Sequence, residues 1–272
     1  MAALLLPLLT AFLLLPAAQE PAAAPVPAQD ETQDPAPDGL EALLASFAEQ
    51  GIELDLAAGH MRLPVVVTQR YEPLEYLLCL QPQGKDFESL LSITDTTGEA
   101  LNTALLLLGA EVGTIGRIRG VDPPPTVEEM QQGVMPYVFE PAYGGVGFHL
   151  YVEWESVLPD GRIEPYRFRA EDLVLNIRDE RTYQRGSFVY LGSRFVKPHK
   201  DAKEIYVAHA EGNLISLVHF PTPDHLLIGT DPRCESQTIW YPNIYLLPPI
   251  GTPVTLVLER AAEAPGVAPT GG

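Results

Sequence analysis

The chain has 272 residues, 46% of them hydrophobic, enough for one domain with a sizeable core after a leader and a tail are set aside. Seventeen lysines and arginines stand against 36 aspartates and glutamates, a formal charge of −19. A field of that sign repels phosphate backbones and anionic lipid, which excludes nucleic acid as an expected partner and electrostatic docking on a membrane as a way of working.

Residues 1–18, MAALLLPLLTAFLLLPAA, carry no charged side chain and only one polar one, Thr10. The apolar run is near the lower limit for crossing a bilayer, is broken by Pro7 and Pro16, and is followed at once by small residues. That pattern predicts a cleavable secretory signal peptide and an exported protein, periplasmic or secreted. No Lys or Arg precedes the apolar core, so an uncleaved N-terminal anchor stands as the alternative and is the only membrane attachment expected. No cysteine lies near the junction, which excludes a lipoprotein. Residues 19–38 are rich in Ala and Pro, contain five acidic residues and no basic one, and read as an extended acidic linker. One globular domain is expected over 39–260, with sub-halves 39–120 and 147–260, and a disordered tail over 261–272.

Within the domain, Leu40, Leu43, Leu44 and Phe47 fall at helical spacing, with Asp38 as the cap and Gly51 beyond the end. The period then changes to two: Ile52–Leu56 and Met61–Thr68 predict a hairpin about Ala58-Gly59-His60. Leu74–Leu80 and Ser89–Thr94 are strands, and Ala100–Leu108 is a helix stopped by Gly109 and apolar enough all round to be buried. Val112–Gly147 is Gly/Pro-rich and predicts a long surface excursion. Strands follow at Phe148–Glu155, Tyr166–Arg169, Leu173–Ile177, Phe188–Leu191, Ile205–Ala208, Leu214–Phe220, Ile239–Leu247 and Pro253–Leu258, with a hairpin at Glu211-Gly212-Asn213. The fold class expected is α+β, mainly β: an antiparallel sandwich or open barrel with two or three helices packed on it.

Signatures of known chemistry are absent from the sequence: no P-loop, nucleophile elbow, metalloprotease helix, Cys-x-x-Cys or EF-hand loop. Tyr143-Gly144-Gly145-Val146-Gly147 precedes a strand, so no helix N-terminus is offered to a phosphate, and no cofactor is expected. Two cysteines, Cys79 and Cys234, are too few for a disulfide framework or a Cys-based zinc site; they form one bridge in an oxidising compartment or stay as buried thiols. His209, His219 and His225 lie close in sequence and are the metal candidates, although their spacing matches no ligand pattern. The most condensed polar cluster is Lys85-Asp86-Phe87-Glu88-Ser89, where Lys85, Glu88 and Ser89 are the catalytic candidates and an ordinary turn with surface ion pairs is the alternative. Ser89 and Lys85 lack the Ser-x-x-Lys order of a helical nucleophile pair.

Several ordered blocks resemble the YdjY-type domain of exported bacterial proteins. They are Glu75–Cys79, Gly84-Lys85-Asp86-Phe87-Glu88-Ser89-Leu90-Leu91, Ala104–Gly113, Phe188–Phe195, Gly212–Leu217 with Phe220-Pro221, and Pro249–Val254. The resemblance spans about Ile52 to Leu258 and implies a single domain without an established activity, carried by proteins with signal peptides. Phe87 stands where that family often has His, which argues against a histidine ligand there. The expected function is a non-catalytic binding or interaction module of the cell envelope, with a protein or small molecule as partner. A hydrolase- or redox-type enzyme using Lys85, Glu88 and Ser89, or a metal-binding accessory protein, are the alternatives.

Overall fold

Helix α1 (Ala36–Glu49) opens the described part of the protein, residues 36–262 of the computed structural model. The leader expected at 1–18, most of the linker at 19–38 and nearly all of the tail lie outside these residues. The helix starts before Asp38, which therefore sits inside α1 rather than capping it. Phe47 is buried and anchors α1, with Leu43 and Leu44 half-buried beside it.

Strands follow in the order β1 (Glu53–Asp55), β2 (His60–Val67), β3 (Tyr76–Leu80), β4 (Ser89–Ile93), β5 (Arg117–Gly120), β6 (Tyr137–Glu140), β7 (Gly147–Val157) and β8 (Ile163–Arg169). The second half adds β9 (Val174–Asn176), β10 (Arg181–Thr182), β11 (Phe188–Tyr190), β12 (Phe195–Val196), β13 (Ile205–Tyr206), β14 (Asn213–Ser216), β15 (Leu227–Ile228), β16 (Trp240–Pro242) and β17 (Pro253–Arg260). The remaining helices among the described residues are α2 (Gly98–Leu107), α3 (Val127–Gln131) and α4 (Val207–Glu211).

The protein is mainly β, and its central element is a barrel. Around the ring the order is β2-β17-β7-β11-β15-β14-β3-β4, and β4 pairs back to β2 through Val66↔Ser92 and Val67↔Leu91, so the barrel is closed. It is also mixed: β14–β15 and β3–β4 run parallel, the other six pairs antiparallel. β1 extends β2, and β8 continues along the free length of β7 outside the ring.

Alternation decides which side chains fill the barrel. Met61, Leu63, Val65 and Val67 of β2, Phe148, Leu150, Val152 and Trp154 of β7, and Leu256 and Leu258 of β17 are all buried. Leu101 and Leu105 of α2 join Met61, Leu63, Leu78 and Leu258 around the interior, where the remaining void is only about 10 Å³. A void that size is at the lower limit for one water. The lumen is packed core, as eight strands dictate.

Helix α2 forms where expected: Thr97 accepts the Ala100 amide at its start, and Gly109 takes φ +79° beyond its end. It is not buried all round. Leu101, Ala104, Leu105 and Leu108 face inward, while Leu106 and Leu107 are exposed, because four consecutive leucines on a helix point to different sides. The Glu211-Gly212-Asn213 segment is not a hairpin turn; Gly212 ends α4 in the left-handed conformation (φ +69°) and the chain enters β14 directly. The excursion from Val112 to Gly147 is pinched at its neck by a Thr114↔Tyr143 bridge and carries β5, α3 and β6 as an arm.

Candidate functional site

Lys85 and Glu88 lie on the link between the parallel strands β3 and β4, which runs only from Gln81 to Glu88, and Ser89 opens β4 directly after it. Parallel neighbours ordinarily need a connection of a dozen or more residues. The short path exists because the link is tied to β14. The Leu80 amide donates to the Gly212 carbonyl (2.6 Å), the Gly84 amide to Leu80 (2.7 Å), and the Lys85 amide to Asn213 Oδ1 (3.0 Å). The Gly84-Lys85 and Gly212-Asn213 blocks, 128 residues apart, thus touch.

Lys85 Nζ lies 2.9 Å from the Glu88 carboxylate and 3.1 Å from that of Glu75, and 5.7 Å from the centre of the Tyr76 ring. Burial alone would lower the lysine, but the combined pull of Glu88 and Glu75 outweighs it and the net shift is upward. Glu75 is raised, because burial and the charge of Glu88 exceed what Lys85 returns. Glu211 is raised as well, by burial and by Asp224. Ser89 is fully buried and its hydroxyl donates to the Lys85 carbonyl at 2.7 Å. Neither group is set for nucleophilic work: the amine is held protonated and the hydroxyl proton is committed.

Behind Lys85, Tyr76 stacks on Phe220 with centroids 5.6 Å apart, and His225 meets both rings edge-on at 5.5 and 5.1 Å. His225 Nδ1 lies 3.1 Å from the Asn213 carbonyl, which only accepts, so Nδ1 carries the proton. Nε2 is therefore a lone pair, buried and without a hydrogen-bond partner among the described residues. Burial pushes this imidazole below its ordinary value, with the Asn213 carbonyl and Asp224 opposing.

The other two histidines are elsewhere. His209 Nδ1 accepts the Gly98 amide (3.2 Å) at the start of α2 and lies 3.3 Å from Glu99. His219 packs against Phe139 of the arm, 5.2 Å between rings. His209, His219 and His225 are not assembled into one centre: His209 sits on α4 at the start of α2, His219 against the arm, and His225 against Tyr76 and Phe220. Among the described residues no group of three or more His, Cys, Asp or Glu side chains is placed to hold a metal ion. Cys79 and Cys234 are both free, buried thiols rather than a bridge, and burial raises both.

A second feature lies on the outside of the barrel. The outward residues of β2, β17, β7 and β8 line an open cleft of about 880 Å³. Pro64, Pro165 and Pro253 line it, while Trp154 and Tyr166, whose rings stack at 5.4 Å on the opposite, core-facing register of β7 and β8, border it through the strands themselves. Arg62 and Arg167 grip Glu153 from two strands (2.8 and 2.5 Å), and Arg167 also reaches Glu259 (2.6 Å) and lies 4.0 Å over the Tyr151 ring. A hollow of about 290 Å³ shares Arg62, Pro64 and Thr255 with the cleft and reaches Ala48 at the end of α1.

No protein-family model, curated protein or solved structure matches the chain.

Sequence reasoning did not find this cleft. Its residues come in spaced pairs, Arg62/Pro64, Glu153/Glu155, Pro165/Arg167 and Pro253/Thr255, each the solvent side of an alternating strand. The signal was the pairs themselves, since proline and charge recurring on the outward register of four strands mark a shared face once those strands are known to be neighbours.

Proposed function

We propose that the protein is an exported binding module of the cell envelope that works without catalysis and receives a protein or small-molecule partner in the outer cleft. The open cleft carries this reading. The lumen is filled, so a ligand cannot be housed as in a hollow barrel, and the cleft combines apolar walls with fixed charges, the composition of recognition sites. The leader-like first residues and the resemblance to YdjY-type exported domains agree with the location. The ion-paired Lys85 and the hydrogen-bonded Ser89 support the non-catalytic part of this reading.

A thermal-shift panel of metals, sugars and peptides tests it. A cleft ligand at about a hundredfold excess over its Kd adds about 2.7 kcal/mol of stability. Thr255→Trp, which fills the cleft, should abolish that gain. A ligand that stabilises Thr255→Trp as well as the parent chain binds elsewhere and sinks the reading.

One observation favours a second reading, a hydrolase- or redox-type enzyme using the Lys85, Glu88 and Ser89 link. The unpartnered Nε2 of His225, beside Tyr76 and within the field of Lys85, is the kind of group that accepts a proton. Turnover of any substrate in a hydrolase and oxidoreductase panel that His225→Gln and Lys85→Met both abolish would replace the binding reading. Turnover untouched by both variants would discard the enzyme reading.

A further inference from the structure

The arm between Thr114 and Tyr143 is built in a way that a lone ribbon in water does not sustain. From Arg117 to Pro136 every residue but Pro125 is exposed. Ile118, Val121, Val127, Met130, Val134, Met135 and Val138 are all between 38% and 60% exposed, a density of bare apolar side chains unlike the scattered ones on the body. Among the described residues β5 and β6 pair only with each other, which leaves both outer edges of the ribbon unpaired there. An isolated two-stranded ribbon is marginally stable at best, and this one is tied to the body on β6 through Phe139 against His219 while its tip stays bare.

Charge along the arm is graded. At its base Arg117 and Arg119 share a single carboxylate, the buried Glu140, with Arg119 at 3.2 Å, leaving a net positive charge. At its tip stand Asp122, Glu128 and Glu129 with no basic residue between Val121 and Pro136. Glu129 closes a capping box on Thr126 at the head of α3, which fixes the tip's shape. Val127 and Met130 are three residues apart on α3 and share one side of it. Base and tip are thus complementary in charge, and the arm holds little of the −19 that keeps the bodies of two molecules apart.

We propose that the arm is a homodimerisation element. Two copies of the chain lay their arms antiparallel about a two-fold axis, the acidic tip of each over the basic base of the other, with Val127, Met130 and Val134 buried between them. A two-fold contact requires a self-complementary surface, and the graded charge supplies it.

Light scattering coupled to gel filtration on the mature chain, across a concentration series, reads the result. A dimer is expected. Met130→Asp and Val134→Asp, each on the solvent side of the arm, should raise the dimer dissociation constant at least about tenfold with the melting temperature of the monomer unchanged. Arg119→Glu and Glu128→Arg should each weaken the dimer, and the double swap should restore it. A monomer at every concentration, or a dimer indifferent to both Met130→Asp and Val134→Asp, overturns the proposal. A dimer that both aspartate variants weaken while the charge swap fails to restore it overturns the antiparallel arrangement.

Discussion

Lys85 shows how one side chain can be indispensable to a cluster without being reactive. It pairs with both Glu75 and Glu88, and of the two Glu75 is pushed toward protonation by burial and by the charge of Glu88. The half-exposed amine makes each pair individually weak, but its removal leaves Glu75 and Glu88 facing each other with Glu211 nearby. Lys85→Met should therefore cost about 1–2 kcal/mol near neutral pH. A carboxyl whose folded-state value is raised favours folding while it is protonated and loses that contribution as pH rises through the raised value. Without Lys85 the rise is larger, so the deficit should shrink toward about pH 4 and grow toward about pH 7. Chemical denaturation of both proteins at the two pH values checks this; a deficit that is constant or larger in acid contradicts the assignment. The Lys85, Glu88 and Ser89 cluster was legible as a polar loop between strands. Its partners Glu75, Tyr76 and His225 were not, because what joins them is the packing of β14 against β3 and the adjoining loop, which no local spacing records.

At the scale of elements, the parallel β3–β4 pair depends on a contact between two glycines. A Cβ on Gly212 would lie 2.4 Å from the Gly84 nitrogen and 2.8 Å from the Leu80 oxygen, both backbone atoms that cannot swing away. The same residue holds a positive φ. Gly212→Ala should cost about 2–4 kcal/mol, adding overpacking to left-handed strain. Gly161→Ala, at a turn with equally positive φ but open space around it, should cost only about 1 kcal/mol. Urea melts of the two variants separate the causes: equal losses would mean that the close approach of the two loops is unimportant. Elements with strong periodicity were readable in advance, including the β1–β2 hairpin, α2 and the long β7. Elements whose limits are set by neighbours were not. The run Ile239–Leu247 predicts one long strand, yet only Trp240–Pro242 pairs, against β9, and Ile205–Ala208 divides between β13 and the start of α4. Composition marked Val112–Gly147 as an excursion, but the arm inside it has too little core of its own to show a period.

For the molecule as a whole, the expectation of a mainly β α+β fold holds, but the ring is a closed, mixed barrel where the sequence predicts an antiparallel sandwich or open barrel. Closure rests on β17, which stands between β2 and β7. Its Val254, Leu256, Val257 and Leu258 are buried. Apolar side chains of this size contribute about 1.5–3 kcal/mol each, together comparable with the about 5–15 kcal/mol that holds a whole domain. A chain ending at Thr252 should show no cooperative thermal transition by near-ultraviolet circular dichroism, and a cooperative melt in that truncation would mean the ring closes without its seam.

The place of β17 also sets a clock. Its partners on β2 lie roughly 190 residues earlier in the chain, a separation that puts closure among the slowest kinds of pairing event. Until residue 260 has been made, β2 and β7 each present a bare strand edge with an apolar side, and Cys79 and Cys234 have not yet been walled in by the finished core. The interval before the last strand arrives is when these bare edges are open to pairing with other chains.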